Sequence, residues 1–458
     1  MAPNIDPDVG CVVPAPGDWP ADPQDDQPVR SDNLWIDGCF DFFHHGHAGV
    51  MLQARRLGNT LTVGLHSDDA ITANKGPPVM NLAEREAAVN ASRFSSRCVP
   101  YAPYVTSLPW ITHYGCEFVV HGDDITSDAS GEDCYRFVKR AGRMKIVPRT
   151  PGISTTDLVG RMLLCTKDHF VRKLEDLLEG KEGPGNEEER RFHGREMMRR
   201  IREYAAGANG KDPEVAIYAY RPRTSEYSLS GLPNGASAQH FATMVSGKYP
   251  QSGQRIVYVD GAFDLFSSGH IAFLKQITDL EADIGRRQGW DKHYPPAYII
   301  AGIHDDETVN RHKGINYPIM NIFERGLCVI QCRYIHAVIF NAPYSPIEAY
   351  LRSLPVGMPD VVYHGPTAFM PSTSGVDPYS DAKKLNIFKQ TPEHEFQEVN
   401  SAQIVQRILD RRSEYEERQR RKGMKGAGES ALKRKELERE VEAKRRQRQE
   451  EVNMTNDA

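Results

Sequence analysis

The sequence predicts an α/β protein built of two tandem, doubly wound parallel-sheet lobes. Three observations carry that prediction: a long block recurs, each copy alternates apolar strands with amphipathic helices, and the composition is that of a globular chain. At 458 residues the chain exceeds one ordinary domain and fits two, with room for tails. Hydrophobic residues make up 39% and charged residues 26%, with a formal net charge of −5. That balance lacks the basic excess of a nucleic-acid binder, and no apolar run approaches the length that spans a bilayer.

The repeat is read directly. The first block has Trp35-Ile-Asp-Gly-Cys-Phe-Asp-Phe-Phe-His-His-Gly-His47, and the second has Tyr258-Val-Asp-Gly-Ala-Phe-Asp-Leu-Phe-Ser-Ser-Gly-His270. Gly64-Leu-His-Ser-Asp68 then matches Gly302-Ile-His-Asp-Asp306, and Lys75-Gly76 matches Lys313-Gly314. Met80-Asn-Leu-Ala-Glu-Arg85 pairs with Met320-Asn-Ile-Phe-Glu-Arg325, and His121-Gly122 with His364-Gly365. Matches in one order on this scale mean a tandem duplication.

Taken in order, residues 1–30 are rich in Pro and Asp and read as a disordered tail. They lack the basic start and apolar stretch of a secretory signal, which argues for a cytoplasmic protein with its eight cysteines reduced. Residues 31–168 form the first lobe, with a strand over 34–37, a helix over 48–57 and a second strand over 60–65. Residues 169–253 read as a linker of charge runs followed by Gly, Ser and Pro, with room for a helix around 187–205. Residues 254–411 form the second lobe. Its Cys328 and Cys332, one helical turn apart without metal-ligand companions, read as core packing. Residues 412–458 alternate charges of both signs and read as a solvated helical tail. Leu432, Leu437 and Val441 supply only a faint apolar stripe, enough at most for transient membrane association.

In parallel sheets ligands bind beyond the carboxyl ends of the strands, where the turn carrying His44-His45-Gly46-His47 falls. A helix starting there offers free N–H groups and a positive dipole end to an anion. His44 and His47, three residues apart, can face one ligand and donate to phosphate oxygens. Gly46 admits a close backbone approach. Lys75 offers a mobile cation. Arg149-Thr-Pro-Gly-Ile-Ser-Thr-Thr156 opens a helix over 157–164 and adds a guanidinium and a hydroxyl cluster, Ser154, Thr155 and Thr156. Asp68, after a strand end, could hold a base, a ribose or a metal, or simply cap a helix. No Ser-His-Asp or Cys-His arrangement is evident. None is required if the nucleophile arrives already ionised, as a phosphate monoester does. Catalysis then reduces to positioning and charge stabilisation by His44, His47, Lys75 and Arg149.

The run Gly38-Cys-Phe-Asp-Phe-Phe-His-His-Gly-His47 and the later Arg149 to Thr156 segment together resemble the two defining motifs of the cytidylyltransferase family. That family acts on phosphocholine, phosphoethanolamine and glycerol 3-phosphate, and the tandem layout is similar to its phosphoethanolamine branch. The resemblance covers both lobes, roughly two-thirds of the chain, and implies Rossmann-like nucleotidyltransferase lobes. It implies CTP and phosphoethanolamine as substrates, Mg2+ travelling with the CTP triphosphate, and a cytoplasmic enzyme compatible with docking at the endoplasmic reticulum. By motif match it places Gly38, Cys39, Phe40, Asp41, Gly46, Asp68, Ser154, Thr155 and Thr156 at the nucleotide. Lys75 would bind a phosphate of CTP or of the co-substrate. Tyr104 and His121 would line the alcohol-phosphate pocket, and Tyr104, Trp110, Asp123 and Asp124 are candidates for its ammonium group.

The second lobe departs from the pattern. Ser267 stands where the first histidine should be, and Asn400-Ser-Ala-Gln403 replaces the Ser-Thr-Thr-Asp run. Gly261, Ala262, Phe263, His270, Lys313 and His364 are the remnants, and this lobe is expected to be catalytically silent. The rival readings are an adenylyltransferase of the same superfamily, a phosphocholine enzyme, and an inactive nucleotide-sensing scaffold.

Overall fold

The computed structural model describes residues 3–164, 167–221, 240–290, 297–314, 316–367, 375–421 and 423. The first lobe is a five-stranded parallel sheet of order β3-β2-β1-β4-β5. Its strands are β1 (Arg30–Gly38), β2 (Thr60–Leu65), β3 (Arg97–Val99), β4 (Cys116–Gly122) and β5 (Met144–Val147). Helices α1 (His45–Leu57), α2 (Asp68–Lys75), α3 (Leu82–Ala91), α4 (Leu108–His113), α5 (Arg136–Arg140) and α6 (Thr155–Leu164) complete it. All but the first residue of β2 are buried, as expected for a parallel strand covered on both faces.

The chain then runs through α7 (Leu174–Leu178) and α8 (Glu187–Tyr204) into β6 (Ala216–Tyr220) and β7 (Phe241–Val245). The second lobe proper contributes β8 (Arg255–Gly261), α9 (Ser268–Arg287), β9 (Ala297–Ile303), α10 (Asp306–Lys313), α11 (Ile322–Ile330) and β10 (Ala337–Phe340). After these come α12 (Glu348–Arg352), β11 (Val361–His364), α13 (Ser380–Lys384), β12 (Phe388–Gln390) and α14 (Ser401–Asp410). Its sheet has the order β12-β11-β8-β9-β10-β6-β7, so the first lobe's five-strand order recurs with two strands added at one edge. β6 is parallel to β10 and β7 antiparallel to β6.

Three segments differ from expectation. The stretch expected as a linker supplies β6 and β7 to the second sheet, while 222–239 lie outside the described residues. Its anticipated helix forms as α8, where Asn186 and Glu189 make a reciprocal capping box. The N-terminal segment, expected as a disordered tail, lies against the first lobe. Trp19 stacks on His113 at 3.5 Å, Trp110 Nε1 donates to the Val12 carbonyl at 3.0 Å, and Ser107 Oγ donates to Asp6 at 2.6 Å. One tryptophan and a few backbone carbonyls dock an extended strap without hydrophobic periodicity, so composition does not reveal it. The Trp110 indole N–H is thereby engaged by this strap. Finally, residues 412–421 form a helix that is not fully solvated: Tyr415 is buried against the first lobe, and 424–458 lie outside the described residues.

Buried apolar residues of both lobes form one continuous cluster. Across it the contacts are reciprocal. Arg93 donates to the carbonyls of Cys332 and Ile335, and Arg333 to those of Ser92 and Ser95. Arg161 of α6 grips Glu324 of α11 through two hydrogen bonds, and Arg407 of α14 grips Glu84 of α3 in the same way. The duplicated lobes therefore face each other about a pseudo-twofold relation.

Candidate active site

The site is built at the carboxyl ends of β1, β2 and β4. The turn after β1 holds Phe40 and Phe42 at φ 50° and 48°, in the left-handed region that non-glycine residues avoid. Burial of both rings and of Phe43 maintains it. The turn delivers His44 as the N-cap of α1.

The Gly46 N–H donates to His44 Nδ1 at 3.1 Å, and the His44 N–H donates to His47 Nδ1 at 3.4 Å. The two imidazoles stack with centroids 4.0 Å apart. Accepting at Nδ1 leaves the ring proton of each neutral imidazole on Nε2, so both rings are set as Nε2–H donors. His45, between them, is buried, and burial pushes its pKa down to about 3, so it stays neutral.

The second motif packs on this turn. A Cβ on Gly46 would stand 2.8 Å from the His44 ring and 2.9 Å from Ile153, so that glycine permits the packing of the two motifs. Gly49, not singled out from the sequence, serves the same purpose a turn further along α1, where a Cβ would collide with Thr150 Oγ1 and the Tyr204 hydroxyl. A glycine in the first turns of a helix was the available signal. Thr155 Oγ1 donates to the Asp41 carbonyl at 3.0 Å, while Ser154 Oγ is engaged with Asp157 as a cap. The main chain of Arg149 donates to Asp123 at 3.1 Å, and its guanidinium meets Asp124 at 3.3 Å in an exposed pair. Asp123 and Asp124 are thus partners of Arg149, and the ammonium role considered for them has no support in this arrangement.

Lys75 ends α2, with Gly76 at φ 92° turning the chain. It is exposed, with its ammonium 5.8 Å from the Tyr104 ring centroid. Asp41 does not face the nucleotide region as expected. It is buried and accepts the N–H groups of Val79 and Met80, tying the first motif to the loop after Lys75. Asp68 takes the Leu82 N–H and pairs with Arg85 at 2.6 Å, its other side left open to solvent. Arg85, a buried residue that sequence reasoning used only to align the repeat, also donates to the carbonyls of Cys39, His66 and Met80. One guanidinium thus holds the ends of β1 and β2 and the intervening loop together. Gly38 precedes this region, and a Cβ there would press on the Phe40 ring at 3.2 Å.

Beside these groups lies a polar and aromatic cluster that was only partly anticipated. Asp37 is buried and accepts from Trp35 Nε1, Thr106 Oγ1 and the Tyr135 hydroxyl at 2.8 to 2.9 Å. His121 leans on Tyr135, ring centroids 4.4 Å apart and tilted by 40°, and donates from Nδ1 to the Gly122 carbonyl, which leaves Nε2 as an acceptor. Tyr104 leans on His66 at 4.8 Å, and its buried hydroxyl has no hydrogen-bond partner among the described residues. An orphaned buried hydroxyl is costly unless a ligand completes it.

The comparisons with known proteins bear on this arrangement. A cytidylyltransferase-like family profile matches residues 35–161, the stretch that carries both motifs. Ethanolamine-phosphate cytidylyltransferase of Mus musculus is 40% identical over 88% of this chain and 91% of its own. Its namesake from Dictyostelium discoideum is 37% identical over 87% and 96%. The chain belongs to the ethanolamine-phosphate cytidylyltransferase family. Choline-phosphate cytidylyltransferase A of Rattus norvegicus is 37% identical, but over only 34% of this chain. The two-lobe organisation is thus matched by the family and not by the choline relative.

The second lobe of this family member preserves the frame and loses the donors. Gly261 ends β8, the Ala262 carbonyl accepts from Arg325, and Phe263 keeps the left-handed turn at φ 48°. Ser267 Oγ donates to the Val399 carbonyl. A Cβ on Gly269 would collide with that same carbonyl. With Asn400-Ser-Ala-Gln403 aligned to the Ser154 run, exposed Glu395 stands at the position of Arg149 and Val399 at that of Ile153. His270 is half-buried, and desolvation drives its pKa down to about 3. Lys313 donates to Ser401 Oγ at 3.1 Å, and His364 donates to the Gly365 carbonyl. The Val171 N–H seals Asp306, the counterpart of half-open Asp68.

Proposed function

We propose that this chain transfers the cytidylyl group of CTP to phosphoethanolamine, giving CDP-ethanolamine and pyrophosphate, a step toward phosphatidylethanolamine. The observation that carries the reading is the packing of the first turn of α1 directly on the segment 149–156, with the Lys75 loop tied to the same turn through Asp41.

In this reading a phosphate oxygen of phosphoethanolamine attacks the α-phosphorus of CTP in line, and the bond to the β-phosphate oxygen breaks. The nucleophile is already ionised, so no side chain need abstract a proton. His44 and His47 donate from Nε2 to phosphoryl oxygens, and Lys75 and Arg149 balance the charge moving onto pyrophosphate. The exposed Arg149–Asp124 pair is worth about 0–1 kcal/mol, so exchanging Asp124 for a phosphate costs little. Ser154, Thr155 and Thr156 orient the second motif, and Asp68 faces the nucleoside side. Asp37, Tyr104, Tyr135 and His121 suit the head group: a carboxylate and aromatic rings for its ammonium, an acceptor nitrogen and an unsatisfied hydroxyl for its polar atoms.

Mg2+ would arrive on the triphosphate, which supplies its oxygen ligands. The described residues hold no group of three or more His, Cys, Asp or Glu arranged for a metal of their own. Bound there, it would neutralise the β- and γ-phosphates. The second lobe is catalytically silent in this reading. No helix among the described residues is long and apolar enough to cross a membrane; a cytoplasmic location, with docking at the endoplasmic reticulum, accords with that. The test is pyrophosphate release with CTP and phosphoethanolamine, phosphocholine or glycerol 3-phosphate in turn, and with ATP replacing CTP. Phosphoethanolamine with CTP should give the highest kcat/KM. Preference for ATP or phosphocholine would overturn the assignment.

A further inference from the structure

The helix over 412–421, which follows α14 at the end of the second lobe, lies across the first lobe's site. From it a single Arg418 nitrogen, Nη1, donates both to Asp41 at 3.0 Å and to the Pro77 carbonyl at 2.8 Å. Its Cβ would stand 3.4 Å from a Cβ on Gly76, the residue after Lys75. The Tyr415 hydroxyl donates to the Pro78 carbonyl, and Gln419 Nε2 donates to the Thr156 carbonyl. The helix thus touches the turn after β1, the loop after Lys75 and the start of α6. These are the walls of the proposed CTP site.

The second lobe supplies an internal control. Asp264, the counterpart of Asp41, accepts the matching N–H groups of Ile319 and Met320, yet receives no arginine hydrogen bond among the described residues. The amides alone therefore shape this turn. What Arg418 adds is a partly buried charge-assisted tie between Asp41 and the loop leading from Lys75. Its outer neighbours on the same helix, such as Arg420 and Arg421, pair with Glu417 at the surface.

We propose that Arg418 is a positioning residue for cytidylyl transfer: the second lobe, itself silent, reaches back through this helix to fix the Lys75 loop against the first lobe's phosphate-binding turn. The inference rests on the assignment of CTP to that turn. Displacement of a catalytic group by about 1 Å can cost on the order of a hundredfold in rate. Arg418→Ala in the full chain should therefore lower kcat by roughly ten- to a hundredfold and weaken CTP binding measured by calorimetry. Arg418→Lys should restore most of the activity, because an ammonium can keep the tie to Asp41. Arg421→Ala, which removes the same charge from the exposed face, should match the wild type.

Wild-type kcat and CTP affinity in Arg418→Ala would overturn the proposal. A fall in thermal midpoint with unchanged kcat for the folded protein, or no rescue by lysine, would also overturn it. Failure of the parent reading looks different, because the wild-type chain itself would then release no pyrophosphate from CTP with any of the phosphate monoesters.

Discussion

Two copies of one design sit in this chain, and they differ where a helix begins. In the first lobe the start of α1 meets a glycine-bearing segment with Thr150, Ile153 and Thr155, and two stacked imidazoles face the site. In the second lobe the start of α9 is closed by the Val399 and Phe396 carbonyls, and Ser267 spends its proton on one of them. In one copy side chains of the second motif pack on the helix start, and in the other backbone carbonyls do. The frame beneath is untouched: Arg85 and Arg325 make the same set of carbonyl contacts in each lobe. Fold and chemistry are held by different residues, so duplication freed one set without disturbing the other.

The comparison breaks most decisively at the histidines. His47→Ala should lower kcat by roughly 10²–10³-fold, the usual loss of a preorganised donor, while His270→Ala should leave turnover near wild type once folding is matched by circular dichroism. A large loss from the second substitution would mean that the second lobe works.

Next in size is Gly49→Ala. The added methyl would collide with Thr150 and Tyr204 and push the second motif off α1. Ala272 occupies the matching position of α9 without harm. Overpacking of this kind costs about 1–3 kcal/mol, and we expect a lower thermal midpoint together with a fall in kcat/KM for CTP.

The reciprocal interlobe pairs offer a finer test. Arg161 is 15% exposed and Arg407 38%, against Glu324 and Glu84 that are both nearly buried. Arg161→Ala should cost more stability than Arg407→Ala, with both within about 1–3 kcal/mol for partly exposed pairs that leave a buried carboxylate behind. Equal values in chemical denaturation would show that exposure does not set the difference.

The smallest effect is one of pH. Asp37 has three donors, whereas its counterpart Asp260 has Tyr379 at 2.7 Å and one buried oxygen without a partner. Burial raises the Asp260 pKa to about 7. A folded pKa above the unfolded value favours folding at low pH, and that stability is lost as pH rises through about 7. Asp260→Asn should therefore gain stability over wild type between pH 5 and pH 8, on the order of 1–2 kcal/mol. A gain that does not vary with pH would contradict the assignment. Desolvated His45 and His270 act oppositely: with folded pKa values of about 3, they lose stability as pH falls below the ordinary histidine range.

The sequence by itself determined the duplication, the parallel α/β class, the two motifs and the loss of the second lobe's first histidine. Each of these is written in local strings or in their order along the chain. It also led to wrong expectations where contacts join residues far apart. The N-terminal segment is ordered by Trp19 on His113, β6 and β7 extend a sheet whose other strands lie far along the chain, and Asp41 turns inward to two amides near residue 80. The Arg418 contact joins residues 377 apart in sequence. Periodicity and motif spacing report only what neighbours along the chain share. Which charge is buried, which donor a carboxylate takes and which helix end is left open are decided by packing between lobes, and those only tertiary structure could decide.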